Sequence, residues 1–219
     1  MKQVSSLYIH FPYCRHLCNY CDFYKHQLKS KNDIKKYEEY LYSQLSENIN
    51  FLKVHNYELV PLETVYIGGG TPSLWGLSGS SFLKCLDITS DAEFTIEIDP
   101  GTWTVVEYEK WKDIGVNRVS VGIQSFDKRF LEIMDREHSM DEAVELLSFL
   151  RDQKVNFSVD LMLGLPKSED LQRDVLTEIL ELIKYSPSHF SVYILKTRSN
   201  YSHNDKLPGD DYISDEYLE

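Results

Sequence analysis

The sequence predicts an α/β fold, a parallel β-sheet wrapped by helices, on three observations. Short apolar runs rich in β-branched and aromatic residues alternate with stretches of helical periodicity. Those runs are nearly continuous in hydrophobicity, as strands covered on both faces are. Six such β/α units are visible in 219 residues, where a complete eightfold barrel typically needs about 250. Periodicity alone leaves open whether the sheet closes.

Taken in order, Leu7 to Phe11 reads as the first strand, and a cysteine-rich loop leaves its end. Ser30-Lys31-Asn32-Asp33 has the form of a helix start. Ile34, Tyr37, Leu41, Leu45, Asn48, Ile49 and Leu52 follow at helical spacing, with one polar break. Thr64 to Ile67 is the second strand, running into Gly68-Gly69-Gly70-Thr71-Pro72; residues 80–86 read as a short helix carrying Cys85. Phe94 to Ile98 is the third strand, residues 104–114 a helix stopped by Gly115, and Asn117 to Ile123 the fourth strand. A helical turn or two covers residues 127–135, and Ser139-Met140-Asp141-Glu142 opens a further helix in capping-box form. Val155 to Met162 is the fifth strand, closed by Gly164-Leu165-Pro166. Ser168 is expected to cap a helix whose apolar stripe is Leu171, Val175, Ile179, Leu182 and Ile183, and His189 to Leu195 is the sixth strand. From Lys196 the pattern thins, with a new helix beginning near Asp215, so residues 1–195 read as the core domain and 196–219 as the start of an extension that is cut short.

Composition narrows the function classes. A hydrophobic content of 42% is enough for a sizeable core. The net charge of -12, without a basic stripe, argues against nucleic acid. No apolar run approaches the roughly 18 residues that span a bilayer, and no signal segment is visible, so the reducing cytoplasm is the expected compartment.

Chemistry concentrates at Cys14-Arg15-His16-Leu17-Cys18-Asn19-Tyr20-Cys21. Three thiolates in C-x3-C-x2-C spacing suit three corners of an iron–sulfur cube, leaving the fourth iron open to a small molecule. A structural zinc site is the alternative; its fourth ligand would have to be His10, His16, His26 or the distant Cys85. A disulfide framework has little support, and Cys85, beside Phe82, Leu83 and Leu86, reads as a small core residue.

That spacing, with an aromatic nearby, is the signature of the radical S-adenosylmethionine (SAM) enzymes. Tyr8-Ile9-His10-Phe11-Pro12-Tyr13-Cys14 further resembles the opening of the oxygen-independent coproporphyrinogen oxidase family, which includes heme chaperones of the HemW type. The oxidases carry another cysteine two residues after the third cluster ligand; here that position is Phe23, which looks like the chaperones. The resemblance implies a partial (β/α)6 barrel, a [4Fe–4S] cluster on Cys14, Cys18 and Cys21, and SAM at its open iron.

It also implies SAM contacts at strand ends, matched across residues 8 to 166. Gly69, Gly70 and Thr71 resemble the segment that meets the methionine amino group, and glycines let backbone approach a ligand closely. Glu97, on one strand face with Thr95 and Asp99, is a carboxylate that needs a partner inside a barrel. Gln124 and Arg136 match further contacts, Arg136 being shaped to pair with a carboxylate; on its own it reads as a surface residue paired with Glu132. Asp160 resembles the ribose contact, and Tyr8 another contact where core packing is the ordinary reading. Tyr13, Tyr20, Phe23 and Tyr24 are placed to shield the cluster. The implied functions are a heme chaperone, with an electron donor and a heme acceptor as partners, or a coproporphyrinogen III oxidase. A zinc-stabilised interaction module is the reading from outside redox chemistry.

Overall fold

The computed structural model describes residues 1–76, 80–163 and 173–195. In chain order the elements are β1 (Lys2–Phe11), β2 (Tyr13–Cys14), β3 (His26–Gln27), α1 (Lys31–Val54), β4 (Tyr57–Gly69), β5 (Ile88–Ile98) and α2 (Val105–Asp113). They continue as β6 (Arg118–Gln124), α3 (Lys128–Ile133), α4 (Met140–Asp152), β7 (Asn156–Leu163), α5 (Val175–Ile183) and β8 (His189–Ile194). Six strands make a sheet in the order β1-β4-β5-β6-β7-β8, while β2 and β3 pair separately. The pairings β1/β4, β4/β5 and β7/β8 are parallel. The chain divides into two compact units, one of residues 1–15, 24–98 and 102–119, the other of residues 16–23, 99–101 and 120 onward.

In the first unit, alternation along the strands sorts the side chains. Ile9 and Phe11 of β1, Val65 and Ile67 of β4, and Phe94, Ile96 and Ile98 of β5 are all buried. The opposite face carries Tyr8, His10, Tyr66, Gly68, Thr95 and Glu97, as a period of two requires. Phe11 stacks on Trp75, with ring centroids 5.6 Å apart, and meets Tyr37 edge-on at 5.5 Å. Tyr37 is the buried anchor of α1, and its hydroxyl donates to the His10 carbonyl at 2.7 Å. The rest of the expected stripe, Ile34, Leu41, Leu45, Ile49 and Leu52, is half-buried. At the start of α1 the Asp33 carboxylate accepts from the Ser30 amide at 2.8 Å.

The second unit repeats the alternation. Val121 and Ile123 of β6 and Phe157, Val159 and Leu161 of β7 are buried on one side; Ser120, Gly122, Gln124, Ser158 and Asp160 occupy the other. Helix α4 packs Ala143, Leu146, Leu147 and Leu150 completely. It starts as its sequence predicts: Ser139 Oγ accepts from the Glu142 amide at 3.2 Å and Glu142 accepts from the Ser139 amide at 2.7 Å.

Several expectations change. β1, β4 and β5 extend well before the apolar runs, because backbone pairing continues where side chains are exposed; Lys2 to Val4 align with Tyr57 to Leu59 before the register shifts. Residues 80–86 do not form a helix. Ser80 Oγ takes the Leu83 amide at 3.2 Å, and only a 3-10 turn, Leu83–Cys85, fits before β5. Cys85 is exposed there, not in the core, its thiol donating to the Phe82 carbonyl at 2.9 Å. The helix expected from Ser168 begins at Val175, capped by Asp174, whose carboxylate accepts from the Thr177 amide at 3.0 Å. Ser168, Leu171 and the extension after residue 195 lie outside the described residues. Among the described residues, no helix is long and apolar enough to cross a membrane.

Candidate functional site

The polar face of the first unit ends in the glycine run. Glu97 Oε1 accepts from the Tyr66 hydroxyl at 2.8 Å, and Oε2 from the Gly69 amide at 2.9 Å, so the carboxylate is fixed at both oxygens. A Cβ on Gly68 would lie 2.8 Å from Glu97 Oε1. Gly69 has φ +118, and on Gly70 a Cβ would meet the Tyr13 carbonyl oxygen at 2.6 Å and Cys14 Sγ at 3.0 Å. Gly70 is therefore required by close approach to β2, Gly69 by its positive φ and its approach to His10 and the Phe11 carbonyl of β1, and Gly68 by the Glu97 carboxylate and the Tyr66 ring. The amides of this segment are engaged within the protein: Gly70 donates to the Phe11 carbonyl at 2.7 Å and Thr71 to the Tyr13 carbonyl at 2.8 Å. Cys14 is buried at this junction.

Tyr8 is exposed at 57%, not packed in the core. Its hydroxyl donates to His10 Nδ1 at 3.0 Å, while His10 Nε2 donates to the Tyr24 carbonyl at 2.8 Å. The Tyr8 ring lies 6.0 Å from that of Tyr66, its partner in register.

In the second unit Cys18 and Cys21 share a turn, the Cys21 amide donating to the Cys18 carbonyl at 3.4 Å. Both pack against an apolar cluster of Tyr20, Phe130, Leu131 and Met134. Asn19 secures the turn by donating to the Ile133 carbonyl at 3.1 Å. Arg136, its side chain 11% exposed, lies beside it. One terminal nitrogen reaches Tyr20 Oη at 3.3 Å and Cys18 Sγ at 3.8 Å; the other donates to Asp99 and to the Gly122 carbonyl at 2.9 Å, with His138 Nδ1 3.4 Å away. This replaces the surface pairing with Glu132, which instead faces Lys128 at 3.6 Å. The reason is that Asp135 has φ 56, a left-handed residue that ends α3 and turns Arg136 inward.

The network shifts its members. Burial alone would push the Asp99 carboxyl up, but Arg136, His138 and the Gly101 amide outweigh it and hold it well below the usual carboxylate range. Burial pushes the Cys18 thiol up, and the nearby guanidinium offsets only part of that. Asp160 accepts from Ser120 Oγ at 3.2 and 3.0 Å, and Ser120 Oγ accepts in turn from Ser158 at 2.9 Å. Gln124 has φ 65, and its Oε1 is buried without a hydrogen-bond partner.

Of the aromatics expected near the cysteines, Tyr20 is buried and Tyr13 half-buried, whereas Phe23 and Tyr24 are exposed at 68% and 71%. Among the described residues, no group of three or more His, Cys, Asp or Glu side chains is gathered to hold a single metal ion. Tyr66 donates to Glu97, Ser120 donates to Asp160, His138 faces Arg136, and Arg173, paired with Glu178, donates to the Gln124 carbonyl; none of these five is assigned from the sequence. The serine and tyrosine shared polar strand faces with assigned residues, a signal that was available; the others depend on tertiary contact.

The model of the Radical SAM superfamily matches residues 8–180. The chain belongs to the radical SAM superfamily. That membership implies SAM and a [4Fe–4S] cluster as cofactors. Among relatives of this radical SAM chain, the heme chaperone HemW of Buchnera aphidicola subsp. Schizaphis graminum is 35% identical, over 89% of this chain and 51% of its own length. HemW of Escherichia coli K12 is 34% identical, over 96% and 56%. The chain thus spans about half the length of these relatives. Among solved structures, coproporphyrinogen III oxidase (HemN) of Escherichia coli superposes with a TM-score of 0.80 at 23% identity, over 98% of this chain and 49% of that one. This likeness shows the fold, the radical SAM partial (β/α)6 barrel.

Proposed function

We propose that this chain is the cluster- and SAM-binding region of a HemW-like heme chaperone. In this reading Cys14, Cys18 and Cys21 hold the cluster, and Tyr8, Gly69, Gly70, Thr71, Glu97, Gln124, Arg136 and Asp160 serve SAM. The observation that carries it is the cysteine loop, three thiols in C-x3-C-x2-C spacing followed by Phe23, in a chain 34% and 35% identical to HemW proteins.

The side chains suit these cofactors. Thiolates are the soft ligands iron–sulfur clusters take. A buried acceptor without a donor costs about 1–3 kcal/mol, so Gln124 Oε1 is a place where a ligand hydroxyl or amine would restore the loss. Glu97 and Asp160 are held by Tyr66, Gly69 and Ser120, which fixes two acceptors before any ligand arrives. Because the amides of Gly69, Gly70 and Thr71 are already donated, this segment serves an amino group through acceptors. Both terminal nitrogens of Arg136 are engaged, and only its Nε lacks a partner. Its contribution without rearrangement is a fixed positive charge beside Cys18 rather than a bidentate clamp. When bound, the cofactors would supply the one-electron chemistry.

Heme, a reducing electron donor and a heme acceptor complete this reading as partners. The test is on the protein, reconstituted anaerobically and given heme, or coproporphyrinogen III with SAM and reductant. Heme binding without protoporphyrinogen IX is expected, since the Phe23 ring neither donates a hydrogen atom nor binds metal. Protoporphyrinogen at one equivalent or more would put the oxidase reading first.

A further inference from the structure

Behind Gln124 lies a buried ion pair outside the set of residues assigned to SAM. Arg173 and Glu178 are 5% and 6% exposed at their side chains. They pair through both carboxylate oxygens, Arg173 Nε to Oε1 at 2.6 Å and Nη2 to Oε2 at 2.9 Å. The guanidinium also donates to two strand-end carbonyls, Met162 on β7 and Gln124 on β6, the latter at 3.2 Å. Its face lies 5.5 Å from the Phe130 ring. Glu178 Oε2 in turn accepts from Ser125 Oγ at 2.9 Å and from the Phe126 amide at 2.6 Å. The pair therefore grips the chain on both sides of one peptide segment, the Gln124 carbonyl by its cation and residues 125 and 126 by its anion.

That segment is strained. The Ser125 amide donates to the Ile123 carbonyl at 2.8 Å, closing a three-residue turn with Gln124 at its centre. Gln124 carries φ 65, and a three-residue turn with a positive central φ is rare and costly for a residue with a Cβ. Such conformations persist where the surroundings over-determine them. Relaxing Gln124 to negative φ would swing its amide away from where Oε1 now sits, buried and without a partner.

We propose that Arg173 and Glu178 are positioning residues for SAM: their ion pair holds Gln124 in the strained turn that presents its side-chain amide to the ligand. This rests on the reading that Gln124 contacts SAM. Supporting partners of this kind alter affinity about 10–100-fold elsewhere in metal sites without touching the ion.

The test is a double-mutant cycle on the reconstituted chain, with SAM affinity from anaerobic calorimetry and cluster content from absorbance. The paired variant Arg173→Met with Glu178→Leu removes both charges, a replacement that buried ion pairs often tolerate in stability. Glu178→Gln, nearly isosteric, is the second variant should the first not fold. Each is made alone and with Gln124→Ala. The expected result is that SAM affinity falls about tenfold in the otherwise unaltered chain, changes less than about twofold once Gln124 is Ala, and leaves cluster content unchanged. An equal loss in both backgrounds overturns the positioning role and makes the pair a scaffold. If Gln124→Ala by itself leaves SAM affinity intact, the assignment of Gln124 fails first and the positioning role falls with it.

Discussion

Asp99 is the residue on which the Arg136 network turns. It takes a guanidinium nitrogen of Arg136, faces His138 Nδ1 at 3.6 Å, and accepts the Gly101 amide at 3.0 Å. Removing its charge strands the largely covered Arg136, and breaking one side of a buried pair costs about 3–5 kcal/mol at most. Asp99→Asn is expected to lower the urea midpoint of the apo chain accordingly at pH 7. The sign with pH follows from the depressed carboxyl. A carboxylate whose native affinity for protons lies below its unfolded one, near 3.9, stabilises fully above that value, and the stability is lost as pH falls through the native range. The gap between Asp99→Asn and the unaltered chain is therefore expected to narrow toward pH 3; a gap that stays constant into acid would mean that the ion pair is not the source of the difference.

At the scale of elements, one device recurs: a strand buries alternate residues and leaves its polar residues on the other face. β1, β4 and β5 present Tyr8, Tyr66 and Glu97 this way, and β6 and β7 present Gln124 and Asp160. Helices keep those strands covered, and α4 does so with four wholly buried side chains behind a reciprocal cap. Ser139→Ala removes the oxygen that accepts the Glu142 amide, and such caps are worth about 1 kcal/mol. Thermal unfolding should register a loss of that size. Glu142→Ala should cost a similar amount by opening the other half of the box.

For the molecule as a whole, the cysteines divide into two classes. Cys14 lies against Gly70, and Cys18 and Cys21 pack on the Tyr20 and Phe130 cluster, whereas Cys85 is exposed on a 3-10 turn of its own. Replacing Cys14, Cys18 or Cys21 by Ala should each abolish the brown chromophore of anaerobically reconstituted protein. Cys85→Ala should leave it, with iron and sulfide contents equal to those of the parent. Loss of the chromophore in Cys85→Ala, with retention in one of the other three, would reassign the ligands.

The sequence by itself determined the alternation of strand and helix, the family, and which residue types sit at strand ends. Those features are local: a period of two, a C-x3-C-x2-C spacing and a capping box are complete within a few residues. It is why the strands carrying Glu97, Gln124 and Asp160 were legible, and why the start of α4 was found to the residue. Tertiary structure alone decided what those side chains meet. Arg136 turns inward to Asp99, thirty-seven residues away, and Ser125 and Phe126 are bound by Glu178, which lies more than fifty residues on. Cys85 sits in an apolar stretch yet remains exposed, because β5 begins too soon for a helix to bury it. Partners distant in sequence leave no periodic mark, since a buried charge is stabilised by whichever group the fold delivers to it.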